Sequence, residues 1–157
     1  LVVVKLLIKK LKISTRMAYL ISIGSTVCGT TAIMATAPII KANKGEVAYA
    51  IANMTVFGII SMLIYPYFAN VYFDADPMFV GLFLGTAIHE TSQVAAAGLI
   101  YDQQFNSPET LNIATVTKLI RNTFLVIMIP LFAFLYNRNT TKTKNYSILD
   151  IFPYFVL

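Results

Sequence analysis

Charge is scarce in this 157-residue chain. Asp, Glu, Lys and Arg make up 12% of it, roughly half the ~25% of soluble domains, while hydrophobic residues reach 57%. That imbalance excludes an ordinary soluble domain. Residues 17–40 and 47–73 contain no charged residue at all, and each run exceeds the ~20 apolar residues needed to cross a bilayer core of ~30 Å. Cysteine is almost absent. Cys28 stands alone, which excludes a disulfide within the chain and a four-cysteine metal site and leaves the redox compartment undetermined. His89 is also the sole histidine. The string His89-Glu-Thr-Ser-Gln93 therefore misses the zinc-protease pattern, which needs a second histidine where Gln93 stands. No metal and no cofactor is expected. Low-complexity segments and short repeats are lacking as well. Leu1 is not an initiator methionine, and the opening residues lack the order of a signal peptide. The apolar run 148–157 amounts to about half a crossing at ~1.5 Å per residue. We therefore expect an internal fragment of a longer protein, with 148–157 starting a further helix.

The charges that are present cluster. Of the twelve Lys and Arg, four lie in residues 9–16, two in 41–46 and three in 137–147, while 70–77 and 101–109 hold none. A net charge of +5 could suggest nucleic acid, but basic residues beside apolar runs are membrane-flank patterning, and no basic face remains for a duplex. The positive-inside tendency makes 137–147 cytoplasmic whether every apolar run crosses or the first and third re-enter. Re-entry separates the charges more completely.

The expected fold is all-α, a polytopic transmembrane helix bundle with broken or re-entrant helices in one domain. Its spans are 17–40, 47–68, 78–100 and 110–136. Upstream, Lys5, Lys9, Lys12 and Arg16 recur at helical spacing beside apolar residues, suiting an interfacial helix or the emerging end of a transmembrane one. Tyr65-Pro66-Tyr67 suits the headgroup region. Residues 78–100 read as a buried helix whose Gly81, Gly85 and Ala95 to Gly98 permit close backbone approach. Ser107-Pro108 reads as an N-cap followed by proline, opening a helix to Tyr136 with a kink at Pro130.

Three clusters could carry chemistry. Gly24, Ser25, Thr26, Cys28, Gly29, Thr30 and Thr31 put two glycines and four hydroxyls in the middle of an uncharged span. A break there would leave a half-helix N-terminus aimed at an anion; the alternative is a continuous packed helix with Ser and Thr bonded to their own backbone. We expect a break between Gly24 and Thr31. His89, Glu90 and Gln93 sit deep in an apolar run, where an ionisable side chain costs ~3 kcal/mol or more. On a helix His89 and Gln93 would share a face; Glu90 could instead neutralise a base elsewhere. Lys118 and Arg121, one turn apart with Asn122 beside them, compensate charge by pairing with Glu90 or an anion, or else snorkel to the far interface. We expect the first two clusters to enclose one polar site.

These motifs, in this order, resemble the YeiH-type family of proposed sulfate exporters of the bacterial inner membrane. Gly24-Ser-Thr-Val-Cys-Gly29 with Ala32, Pro38 and Glu46 is similar to its first signature. Tyr65-Pro66 recurs at the expected interval; Gly85, Ile88-His-Glu90, Gln93-Val94 and Ala96-Ala-Gly98 resemble the second signature and Lys118-Leu-Ile-Arg121 the third. Ser25-Thr26, Val27 and Thr31 depart mildly and keep the hydroxyls. The resemblance implies about ten helices in an inverted-repeat transporter fold, with the missing helices and the lipid bilayer as partners and a small anion as substrate. The expected function is thus secondary transport of sulfate or another small anion. The alternatives are a cation-proton antiporter-like carrier using Glu90 and His89, a non-transporting membrane subunit, and a membrane enzyme built on Cys28. We expect no catalytic residues.

Overall fold

The structure is a computed structural model and describes residues 13–140. Among these residues every regular element is a helix: α1 Thr15–Thr26, α2 Gly29–Thr36, α3 Lys44–Tyr72, α4 Pro77–Ala87, α5 Thr91–Phe105, α6 Thr110–Thr123 and α7 Leu125–Thr140. The helices up to the expected Lys12 and the expected start at 148 fall outside the described residues. So does most of the basic segment 137–147. The chain divides into two compact units, one from the residues up to Asn53 together with those from Phe124 on, the other Met54–Thr123.

In the first unit the expected break is present. Ser14 caps α1 by accepting from the Met17 amide, and the helix ends at Thr26 because Val27 leaves helical dihedrals, with φ −126° and ψ −91°. Gly29 then takes φ 39°, a left-handed value that glycine adopts at no steric cost. Across the break Ile33 covers Gly24, where an added Cβ would lie 2.9 Å from the Ile33 Cδ1. An uninterrupted helix, rising ~1.5 Å per residue, would hold residues nine apart well beyond that. α7 closes this unit: Tyr19 meets Tyr136 edge-on at 5.2 Å, and the Arg16 Nε donates to the Tyr136 hydroxyl at 3.3 Å. Glu46 ties the start of α3 to α1, accepting from the Ser14 hydroxyl and from the Asn43 amide.

The second unit is an up-and-down arrangement of the rest of α3 with α4, α5 and α6. Asp76 opens α4 by accepting from the Met78 and Phe79 amides, with Pro77 at the first position. α4 and α6 run the same way, since Gly81 lies on Ile113 and Gly85 on Thr117. α5 runs back: Asn122 bonds Thr91, Gly98 lies on Leu111, and the Asp102 carboxylate accepts from the Leu111 amide. Residues 78–100 are therefore not one helix but a helical hairpin that turns at Ile88-His89-Glu90. The expected cap at Ser107 is also displaced. α6 opens at Thr110, and Asp102 caps it from the preceding helix, while Asn106 at φ 52° ends α5. The core holds Ala69, Val80, Leu84, Val94, Ala97 and Tyr101, with the Tyr101 hydroxyl donating to Asn70 at 3.0 Å.

α3 has 29 residues and a mean hydropathy of 2.0 in its best window, of which 17% is buried. It is long and apolar enough to cross a membrane. Phe57, Leu63, Val71 and Tyr72 on its surface are more than half exposed, which suits hydrocarbon and not water. α6 and α7 reach spanning length together. Their interruption falls at Phe124, whereas Pro130 lies inside α7.

The close approach of α4 to α6 yields a testable expectation. A Cβ at Gly85 would sit 2.6 Å from the Ala114 carbonyl oxygen, a backbone atom that cannot yield. Gly85→Ala should destabilise the full-length parent by about 1–3 kcal/mol, read as a lowered thermal midpoint in detergent. Gly45→Ala, with nothing within 4 Å, should leave that midpoint in place.

Candidate functional site

The polar residues singled out in the sequence fall on two interruptions, one in each unit. In the first, Cys28 occupies the N-cap of α2 and provides no side-chain cap. Its thiol is buried. Gly29, Thr30 and Thr31 form the first turn of α2. The Ser25 hydroxyl donates to the Ile21 carbonyl at 2.8 Å and the Thr26 hydroxyl to the Ser22 carbonyl at 2.7 Å. The helix is therefore broken and not continuous, while the serine and threonine before the break bond their own backbone, as the continuous alternative also expected.

The second interruption is the hairpin tip. Ile88 and Glu90 are extended, with ψ near 138° at both, and α5 restarts at Thr91 with no side-chain cap from Glu90. His89 lies in the extended segment, so the helical spacing that would align it with Gln93 does not apply. Gln93 belongs to the first turn of α5 and turns toward α3. Its Nε2 donates to the Thr55 carbonyl at 3.3 Å, and its amide rests on Gly58, where a Cβ would lie 1.9 Å from the Oε1. That buried Oε1 has no hydrogen-bond partner. Seating an amide here is costly in lipid, and only a glycine at 58 leaves room for it.

α6 holds the other side of the tip. Lys118 is 0% exposed, and its Nζ donates to the Ile88 carbonyl at 2.8 Å. Arg121 donates to the Thr86 carbonyl, and the Asn122 Nδ2 to the Thr91 hydroxyl at 3.2 Å. Lys118 does not snorkel. Both cations address the C-terminal end of α4, whose orphan carbonyls carry about half a negative charge. Their charge compensation is thus directed in the first place at a helix end, a target that spacing alone did not reveal. Gly58, Thr55 and Thr91 escaped the sequence reading altogether, because a single glycine in a plain apolar helix carries no periodic signal.

Comparison with known proteins completes the picture. A family model described as Conserved hypothetical protein 698 matches residues 1–157. The chain belongs to that family. It is the YeiH-type family whose signatures the sequence resembles. Among its relatives, a UPF0324 membrane protein of Fusobacterium nucleatum is 37% identical over 100% of this chain and 45% of its own length. Another from Streptococcus agalactiae is 38% identical over 100% of the chain and 46% of its own length. A third, from Clostridium tetani, is 33% identical over 97% of the chain and 46% of its own length. No solved structure matches. The chain thus spans just under half the length of the curated family members it matches, and like them it is a membrane protein.

The Gln93 seat can be tested by a double-mutant cycle. Gly58→Ala and Gln93→Ala should each lower the thermal midpoint of the full-length family member. Because the three atoms nearest the new methyl all belong to the Gln93 side chain, the double variant should be no worse than Gln93→Ala alone. Additive losses would show that Gly58 serves some other contact.

Proposed function

We propose that this chain is the part of a secondary membrane transporter that binds a small anion, with sulfate as the first candidate. The observation that carries the reading is that two apolar runs are interrupted midway, and each restarts as a helix, α2 at Gly29 and α5 at Thr91, without a side-chain cap from its N-cap residue. A helix start offers backbone N–H groups and about half a positive charge to an anion, and interrupted helices near the membrane midplane are where secondary carriers bind solute. Lys118 and Arg121 strengthen the case. They offset the negative end of α4 beside the start of α5. Ser25, Thr26, Thr30, Thr31, His89, Glu90 and Gln93 line these two breaks in our reading.

Membrane placement follows from the same features. α4 has eleven residues and rises ~16 Å, about half of a ~30 Å core. We therefore place the α4–α5 hairpin as a re-entrant element with its tip near the midplane. Its two ends converge at the start of α6, where Gly81 approaches the Thr110 carbonyl and Asp102 caps Leu111. Acids and no bases mark these ends, so we assign them to the non-cytoplasmic side of a bacterial inner membrane and residues 137–147 to the cytoplasm.

A second reading makes His89 and Glu90, half-buried in the tip, the carriers of a proton or cation. One assay separates the two. The full-length parent is reconstituted in liposomes, and radiolabelled sulfate and internal pH are followed together. The anion reading expects saturable sulfate uptake that falls about tenfold or more in Arg121→Gln, as for loss of a charge-assisted hydrogen bond. Cation flux that depends on pH and vanishes in Glu90→Gln, with no sulfate uptake, would replace it. Cys28→Ser, which keeps a small polar group at the start of α2, should retain transport, since we assign the chain no thiol-dependent enzymatic role.

A further inference from the structure

The two interruptions have different origins. Gly29 at φ 39° makes the first by local means. No such residue is present at the second: between Gly85 and Gly98 there is neither glycine nor proline. The dihedrals are unstrained, with φ −84° at Ile88 and −95° at Glu90, a region open to any residue. A segment free to wind inside a membrane should do so, because each carbonyl taken out of the helical ladder must find another donor. In an uninterrupted helix the Thr86 carbonyl would take the amide of Glu90 and the Ile88 carbonyl that of Ser92. Here Arg121 and Lys118 take them. Arg121 is partly exposed, whereas Lys118 is completely buried, and its ammonium reaches the last carbonyl before the turn.

We propose that Lys118 is the positioning residue that makes this break. Its ammonium stands in for the Ser92 amide at the Ile88 carbonyl, keeps Ile88 and Glu90 extended, and so presents the first turn of α5 to solute. Asn122, one turn further along the same face of α6, fixes where α5 restarts through the Thr91 hydroxyl. Lys118 acts through the backbone and does not itself contact the anion. The consequence for function rests on the transporter reading given above; the structural role does not.

The test is backbone hydrogen exchange on the solute-free, full-length parent in detergent, followed by flux of sulfate and nitrate in liposomes. Lys118→Met removes the donor at similar side-chain volume. Exchange at residues 88–93 should accelerate roughly tenfold or more, the loss of one hydrogen bond to a charged donor, while the Asp102–Leu111 junction at the other end of the hairpin keeps its wild-type rate. In liposomes the half-saturating concentrations of sulfate and nitrate should both rise. A direct anion ligand would instead leave solute-free exchange at wild-type rates while transport falls. That result overturns the proposal. Should Lys118→Met accelerate exchange throughout Met54–Thr123, the milder Lys118→Gln, whose shorter side chain falls short of the carbonyl, is read in the same way. If the exchange pattern holds but the wild-type parent moves no anion, transport fails and the positioning role stands. If flux is present and tip exchange is unchanged in Lys118→Met, the reverse is true.

Discussion

A helix that stops inside a membrane must dispose of its last carbonyls, and in the re-entrant placement we propose the hairpin of this chain depends on how that is done. Water is not there to accept the task, and an unsatisfied peptide group in hydrocarbon costs several kcal/mol. α6 supplies the answer with Lys118 on the Ile88 carbonyl and Arg121 on the Thr86 carbonyl. With these two bonds made, the chain reverses at residues 88–90 and α5 returns along α6. The close approach that lets α6 reach the tip depends in turn on Gly81 and Gly85, against which α6 lies without room for a methyl group.

The same bonds set the electrostatics. α4 ends and α5 begins within three residues, so the negative end of one helix dipole and the positive end of the next lie side by side and would largely cancel. Two cations on the α4 end break that symmetry. The first interruption is made by local means, through Gly29, and its hydroxyls before the break are bonded to their own helix. Within one chain, therefore, one break is fixed by backbone conformation and the other by tertiary hydrogen bonds.

That difference explains what could be read from the sequence. The membrane character was legible from the two uncharged runs, and the first break from Gly24, Gly29 and the hydroxyls between and after them, because glycine in an apolar span is a local signal. The hairpin was legible only as an alternative: the charge counts favoured re-entry of the first and third runs, while residues 78–100 by themselves read as one buried helix. Ile88-His89-Glu90 contains no turn residue, and the small residues of 78–100 describe close packing equally well for one helix or two. Its polar residues marked the right place without revealing the geometry. Lys118 and Arg121 were read as compensating the charge of Glu90 or an anion, and a side chain bonding a carbonyl some thirty residues earlier leaves no trace in helical spacing. Gln93 was visible as a buried polar group, while its seat on Gly58 and Thr55 required the neighbouring helix.

Re-entry of the hairpin is the claim on which the account turns, since a single crossing by residues 78–100 would put the two ends of this stretch on opposite faces of the membrane. The most direct measurement is accessibility of cysteines placed at Asp76 and Ser107, one at each end of the hairpin, in the full-length parent with Cys28 replaced by serine. In intact cells an impermeant thiol reagent should label both positions. Labelling of one position from outside and of the other only after the membrane is opened would contradict the account.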